Sequence, residues 1–132
     1  MEISINQEKS RVPISVLHVN GDIDSSNYQV LEERARTAIE EGCQYLLVDF
    51  GGVHYISSAA LRTLNQIFHQ LRTRSKDCSD EEMYQGINAG TYKSPYLKLL
   101  NPSKAVLEVI KITGFDMFLE IHTDIKTALA SF

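Results

Sequence analysis

The stretch Tyr45-Leu46-Leu47-Val48-Asp49-Phe50 constrains this chain more than any other, because only Asp49 interrupts its apolar run. A strand with one solvent face alternates polar and apolar residues. A strand without alternation is covered on both faces, as in the interior of a parallel sheet. Parallel neighbours are joined by crossovers, so helices are expected on each side of the run. The chain supplies them. Leu31, Ala35, Ala38 and Ile39 recur at helical spacing, with Ser25 or Ser26 available as N-cap and Gly42 at the end. Leu61, Leu64, Ile67, Phe68 and Leu71 form one apolar stripe on a helix running to about Arg74. Ser103 can cap a helix carrying Val106, Val109 and Ile110 that stops at Gly114, and Asp124 can cap another with Ile125, Ala128, Leu129 and Phe132.

The strands complete the alternation. Ile14 to Val19 is rich in β-branched residues and ends at the Asn20-Gly21 turn signal. Met1 to Gln7 alternates weakly and can pair with it as an edge hairpin. Tyr96 to Leu100 ends at Asn101-Pro102, and Met117 to Ile121 is a last short strand. From Ile14 onward the order is β-α-β-α-β-α-β-α. The expected fold class is α/β, a mixed, mostly parallel four- to five-stranded sheet with about four flanking helices. Residues 1–132 read as a single domain. The segment at about 75–94 breaks the rhythm with Lys76, Asp77, Asp80, Glu81, Glu82, Gly86 and Gly90. Connections in α/β units usually run about 2–6 residues, so this one is expected to be a solvated, flexible, poorly packed insertion.

Bulk properties exclude several classes. With 43% hydrophobic and 23% charged residues the composition is that of a soluble globular domain. The net charge of −4, with no cluster of Lys and Arg, argues against nucleic acid. Cys43 and Cys78 form no CxxC pair and fit free thiols in a reducing compartment. The amino terminus has neither a basic region nor an apolar run, and no stretch approaches the roughly 18 apolar residues of a membrane span. A cytoplasmic location without membrane contact is therefore expected.

No spacing assembles an enzyme. His18, His54, His69 and His122 are scattered, HExxH is absent, and neither a GxGxxG nor a GxxxxGK[ST] loop accompanies Gly51-Gly52. No catalytic residue, metal or cofactor is assigned. What remains is Asp49-Phe50-Gly51-Gly52-Val53-His54-Tyr55-Ile56-Ser57-Ser58-Ala59-Ala60-Leu61-Arg62, a strand, a short loop and two serines at the start of a helix. A serine there ordinarily bonds the free N–H groups of the first turn. The same place accepts an anion, since the donors point outward and the helix dipole favours negative charge.

The stretch Val53 to Leu64 resembles the signature of STAS domains, the sulfate-transporter and anti-sigma-antagonist family, in which Asp-Ser-Ser/Thr-Gly-Leu opens the second helix. Gly21-Asp22-Ile23-Asp24 is similar to the family's Gly-x-x-Asp loop. Leu100-Asn101-Pro102-Ser103 and Thr113-Gly114-Phe115 are similar to its carboxyl-terminal half. The resemblance implies that Ser58 is a phosphoacceptor, with Ser57 as second choice, and that Asp24, Ser57, Ser58, Ala59 and Arg62 meet a protein partner. Arg62, one turn beyond Ser58, can pair with a phosphate there. The implied partners are an anti-sigma factor that is a serine kinase and a serine phosphatase, with ATP and magnesium on the kinase; a homodimer is left open. Ser57 stands where Asp is usual, Ala59 where a second hydroxyl is usual and Ala60 where Gly is usual. These departures support the alternative of an unphosphorylated STAS module that binds a small molecule or acts as a scaffold in a sensory complex.

Overall fold

The computed structural model describes residues 1–74 and 77–132. It contains one five-stranded sheet in the order β1-β2-β3-β4-β5, with β1 Glu2–Lys9, β2 Pro13–Asn20, β3 Leu46–Gly52, β4 Leu97–Leu100 and β5 Glu120–His122. The first pair is an antiparallel hairpin, Ile3 opposite Val19, and the other pairs are parallel. The expected mixed, mostly parallel sheet is what forms, with β3 at its centre. Among the described residues five α-helices accompany it: α1 Tyr28–Glu40, α2 Ser58–Arg74, α3 Asp80–Ala89, α4 Lys104–Ile112 and α5 Ile125–Ala130.

Strand order explains how the helices divide. The parallel strands follow one another in a single direction, so right-handed crossovers place every connection on the same face. On that face Leu17, Val19, Leu46, Val48, Leu97 and Leu99 pack against Leu31 and Ala35 of α1, Leu64 and Phe68 of α2, and Val106 and Ile110 of α4. Only α5, which follows the last strand, reaches the other face, where Ala128 packs on Ile14, Val16, Leu47 and Leu100. Leu46, Leu47 and Val48 are accordingly fully buried from both sides. The rest of the second face is left to polar side chains.

Capping behaves as its local chemistry dictates, with two corrections. Ser103 accepts from the Val106 N–H (3.2 Å) and Asp124 from the Thr127 N–H (2.9 Å), each closing the first turn of its helix. The start of α1 falls at Asn27, not at Ser25 or Ser26, because Ser26 is drawn into a turn on Asp24. The expected last strand at Met117 to Ile121 is instead a 3-10 turn, Phe115–Met117, followed by β5. Short apolar runs anchor turns as readily as strands; here Phe118 and Leu119 plug the core while Met117 is 40% exposed.

The segment at about 75–94 also departs from expectation. Ser75 and Lys76 lie outside the described residues. Beyond them, Ser79 accepts from the Glu82 N–H (3.1 Å) and opens α3, and Gly90, at φ 76, closes it. Three acidic residues in the first turn suit the positive end of the helix. Met83 is 1% exposed and joins the main core, with Ile87 packed against it. Gly86 lets Tyr92 approach so closely that a Cβ there would lie 2.7 Å from that of Tyr92. Residues 79–92 are packed, and the reason is one methionine and one glycine that a count of charged residues does not weigh.

Candidate functional site

The loops after β2 and β3, at the carboxyl ends of their strands, are stitched together. Gly21 N–H donates to Gly52 O (2.9 Å), Ile23 N–H to Tyr55 O (3.0 Å), and Ser57 N–H to Ile23 O (2.9 Å). Ile23 and Ile56 form an isolated parallel bridge, and both are buried. Asp22 adds a bond from the His54 N–H (3.2 Å). The Gly-x-x-Asp loop and the loop carrying the serines are therefore one rigid unit, although more than thirty positions separate them in the chain.

Within this unit the two serines differ. Ser57 is the N-cap: its Oγ accepts from the Ala60 N–H (3.4 Å) and its carbonyl from the Leu61 N–H (3.3 Å). Ser58 is the first helical residue, exposed, with no side-chain hydrogen bond among the described residues. The cap and the candidate acceptor are thus different residues. Ala59, expected at the partner surface, is turned inward and 3% exposed. Ala60 is 1% exposed, so its methyl group fills the core and does not stand in the way of a partner. Arg62 is exposed one turn beyond Ser58, at the i, i+4 spacing that brings two helical side chains together. Among the described residues it forms no ion pair.

Asp24 lies in the adjoining loop. Its Oδ1 accepts from the Ser26 hydroxyl (2.5 Å) and the Ser26 N–H (2.8 Å), while its own N–H donates to Asn27 Oδ1 (2.9 Å). The two bonds from Ser26, the hydroxyl first, hold the carboxyl below the usual carboxylate range. Asp24 organises the turn and keeps a charged oxygen at the surface.

One cluster has no signal within any single element. On the open face of the sheet His18 Nδ1 meets Asp49 Oδ2 at 2.7 Å, and its Nε2 meets Asn6 Oδ1 at 2.5 Å. Asp49 Oδ1 in turn accepts from the Gly51 N–H (2.8 Å). The pairing register, His18 beside Asp49, creates this contact. Through these contacts the three side chains link β1, β2 and β3. Among the described residues no three His, Cys, Asp or Glu side chains are placed to hold a metal ion, and no helix is long and apolar enough to cross a membrane.

A family model of the STAS domain matches residues 5–78. The chain belongs to the STAS domain family. The match spans the stitched loops and both serines, and ends before α3. No curated protein matches the sequence. Solved structures share this STAS fold at low identity. An anti-sigma factor antagonist from Mycobacterium paratuberculosis superposes with a TM-score of 0.69 at 18% identity, covering 98% of this chain and 93% of that one. An anti-sigma-factor antagonist (STAS) domain protein from Planctomyces limnophilus gives 0.70 at 14% identity, with 96% and 93% covered. The Bacillus cell fate determinant SpoIIAA in its phosphorylated form gives 0.60 at 15% identity, with 95% and 96% covered.

The assignment of Ser57 as cap makes a prediction. Ser57→Ala is expected to cost about 0.5–2 kcal/mol of stability, the usual loss of a cap. Ser58→Ala, at an exposed site without a bond, is expected to stay within about 0.5 kcal/mol of the wild type. Urea unfolding of the two variants checks this, and equal losses would show that the cap is assigned to the wrong serine.

Proposed function

We propose that this STAS domain is an anti-sigma factor antagonist-like switch, which binds a serine-kinase anti-sigma factor and is turned off by phosphorylation of Ser58. The observation that carries the reading is the division of labour between the serines: Ser57 is engaged as the cap, while the Ser58 hydroxyl is exposed and free of hydrogen bonds among the described residues. A kinase needs such a hydroxyl. The modified side chain carries roughly −1.5 to −2 charges and sits at the positive end of α2, where the dipole and Arg62 favour it. Phosphorylation therefore changes the contact surface without unfolding the helix beneath it. Asp24, fixed in the stitched loop, and Arg62 flank the acceptor on the surface offered to the partner. The domain acts as a substrate and a ligand, and ATP, magnesium and the serine phosphatase chemistry belong to other proteins. A reducing, cytoplasmic setting and a bacterial transcription circuit go with this reading.

The test is incubation with the cognate serine kinase and ATP, followed by mass spectrometry of the 50–74 peptide. One phosphate is expected on Ser58, retained in Ser57→Ala and lost in Ser58→Ala. Titration calorimetry with ATP withheld is expected to give wild-type affinity for Ser58→Ala and at least about tenfold weaker binding for Ser58→Asp, since a like charge set against a complementary surface costs more than 1.4 kcal/mol. Equal affinities for Ser58→Asp and wild type, with no phosphate acquired, would overturn the reading.

A further inference from the structure

Arg62 stands one turn beyond Ser58 on α2. It also lines a groove of about 430 Å³ between the first half of α2 and the turn after α4, whose apolar floor is Leu61, Phe115 and Phe118 and whose rim is Arg62, Asn65, Gln66 and Thr113. No acidic side chain lines it. In the same turn of the chain, Ile112, which precedes Thr113, is 84% exposed, and Met117, which precedes Phe118, is 40% exposed. Two large apolar side chains this accessible, next to an apolar cleft with a cationic edge, mark an interaction surface more than an ordinary scatter of exposed residues.

We propose that this groove is a second half of the partner surface, which receives an apolar side chain of the kinase segment flanked by a carboxylate that pairs with Arg62. This rests on the switch reading above. The chemistry of the occupant follows from the lining. The floor is apolar and takes an aliphatic or aromatic anchor, while the rim offers one guanidinium with no ion pair among the described residues and two side-chain amides. A carboxylate beside the anchor completes that rim; a basic residue there would meet a like charge.

The position of Arg62 also gives the switch a mechanism. Phosphate on Ser58 and the partner's carboxylate compete for one guanidinium, and the phosphate, tethered one turn away and more highly charged, wins. Modification then weakens binding by withdrawing Arg62 from the groove, in addition to adding charge at Ser58. Gln66 stands one turn beyond Arg62 on the same helix, so a carboxylate placed there captures the guanidinium from the opposite side.

Calorimetric titration of the cognate kinase with ATP withheld tests this on six variants whose folding is checked by thermal melts. Arg62→Ala and Gln66→Glu are each expected to bind about tenfold more weakly than wild type, and Gln66→Lys to bind clearly more tightly than Gln66→Glu. The double variant Arg62→Ala/Gln66→Glu is expected to lose less than the product of the two single losses, because both changes remove the same ion pair. In the Arg62→Ala background, Ser58→Asp is expected to lose a smaller factor than it does in the wild type. If Arg62→Ala and Gln66→Glu both bind like wild type while Ser58→Asp is still weakened, the groove proposal fails and the switch stands. If Ser58→Asp also binds like wild type, both fail. Equal weakening by Gln66→Lys and Gln66→Glu would overturn the charge argument.

Discussion

Arg72→Ala is expected to lower the free energy of unfolding by about 3 kcal/mol, the lower end of what breaking a buried ion pair costs. The Arg72 side chain is 3% exposed near the end of α2. From there Nη1 donates to Asp80 Oδ1 (2.7 Å) at the start of α3, and Nη2 donates to the Cys78 carbonyl (2.6 Å). Nε lies 3.5 Å from Asp77 Oδ1 without a hydrogen bond to it, and the Tyr92 hydroxyl donates to that same Asp77 oxygen (3.3 Å). Burial works against the guanidinium charge, and the bonds to Asp80 and Cys78 outweigh it, so its proton is held more firmly than in an exposed arginine. The lower end of the range applies because the partners are not stranded. Asp77 keeps 25% and Asp80 64% of its side chain exposed, so water takes over most of what the arginine gave them. Arg72→Met, which keeps the apolar stem, is expected to recover roughly half of the loss. Urea unfolding gives the magnitude, and amide exchange is expected to speed up first across residues 80–89. An Arg72→Ala protein within about 0.5 kcal/mol of wild type would mean that Met83 alone holds α3.

Phe68→Ala is expected to cost more, about 3–5 kcal/mol, because its ring sits where separate parts of the chain meet. Phe68 is 1% exposed, with ring centroids 4.9 Å from Phe118 and 6.3 Å from Tyr92. Truncation leaves a cavity that α2, the turn before β5 and the segment after α3 cannot all close, since each is also fixed elsewhere. For a domain of this size that loss is roughly a 10–20 °C fall in the melting temperature. Phe115, half-buried at the groove, supports less, and Phe115→Ala is expected to lose well under half as much. Calorimetric melts of both variants check the order. A loss at Phe68 no larger than at Phe115 would show that the aromatic cluster is not the centre of the core.

Both sites lie on α2, whose apolar stripe was legible in the sequence because helical periodicity is a local property of one element. The unalternated run at β3, the caps at Ser103 and Asp124, and the stop at Gly114 were legible for the same reason. Each depends on residues within a turn or two of one another. The motif order along the chain likewise pointed to the STAS family. Local signals failed where two of them competed at short range. Adjacent serines before an apolar stripe satisfy the same capping rule, and only the bond from Ser57 N–H to Ile23 O decides which one caps.

The sequence by itself determined the strands β1 to β4 and the helices α1, α2, α4 and α5, the parallel character of the sheet, and the presence of two serines at the mouth of α2. Tertiary structure alone decided the rest. It put all crossover helices on one face, leaving His18, Asp49 and Asn6 to find one another across three strands. It buried Met83 and so turned a charged connection into a helix of the core. It turned Ala59 inward and Ser58 outward, and set Arg62 on the rim of a groove built partly from residues fifty positions away. The physical reason is common to all of these. Contacts between residues distant in the chain carry no periodicity, so they exist only once packing has chosen which side of each element faces the core.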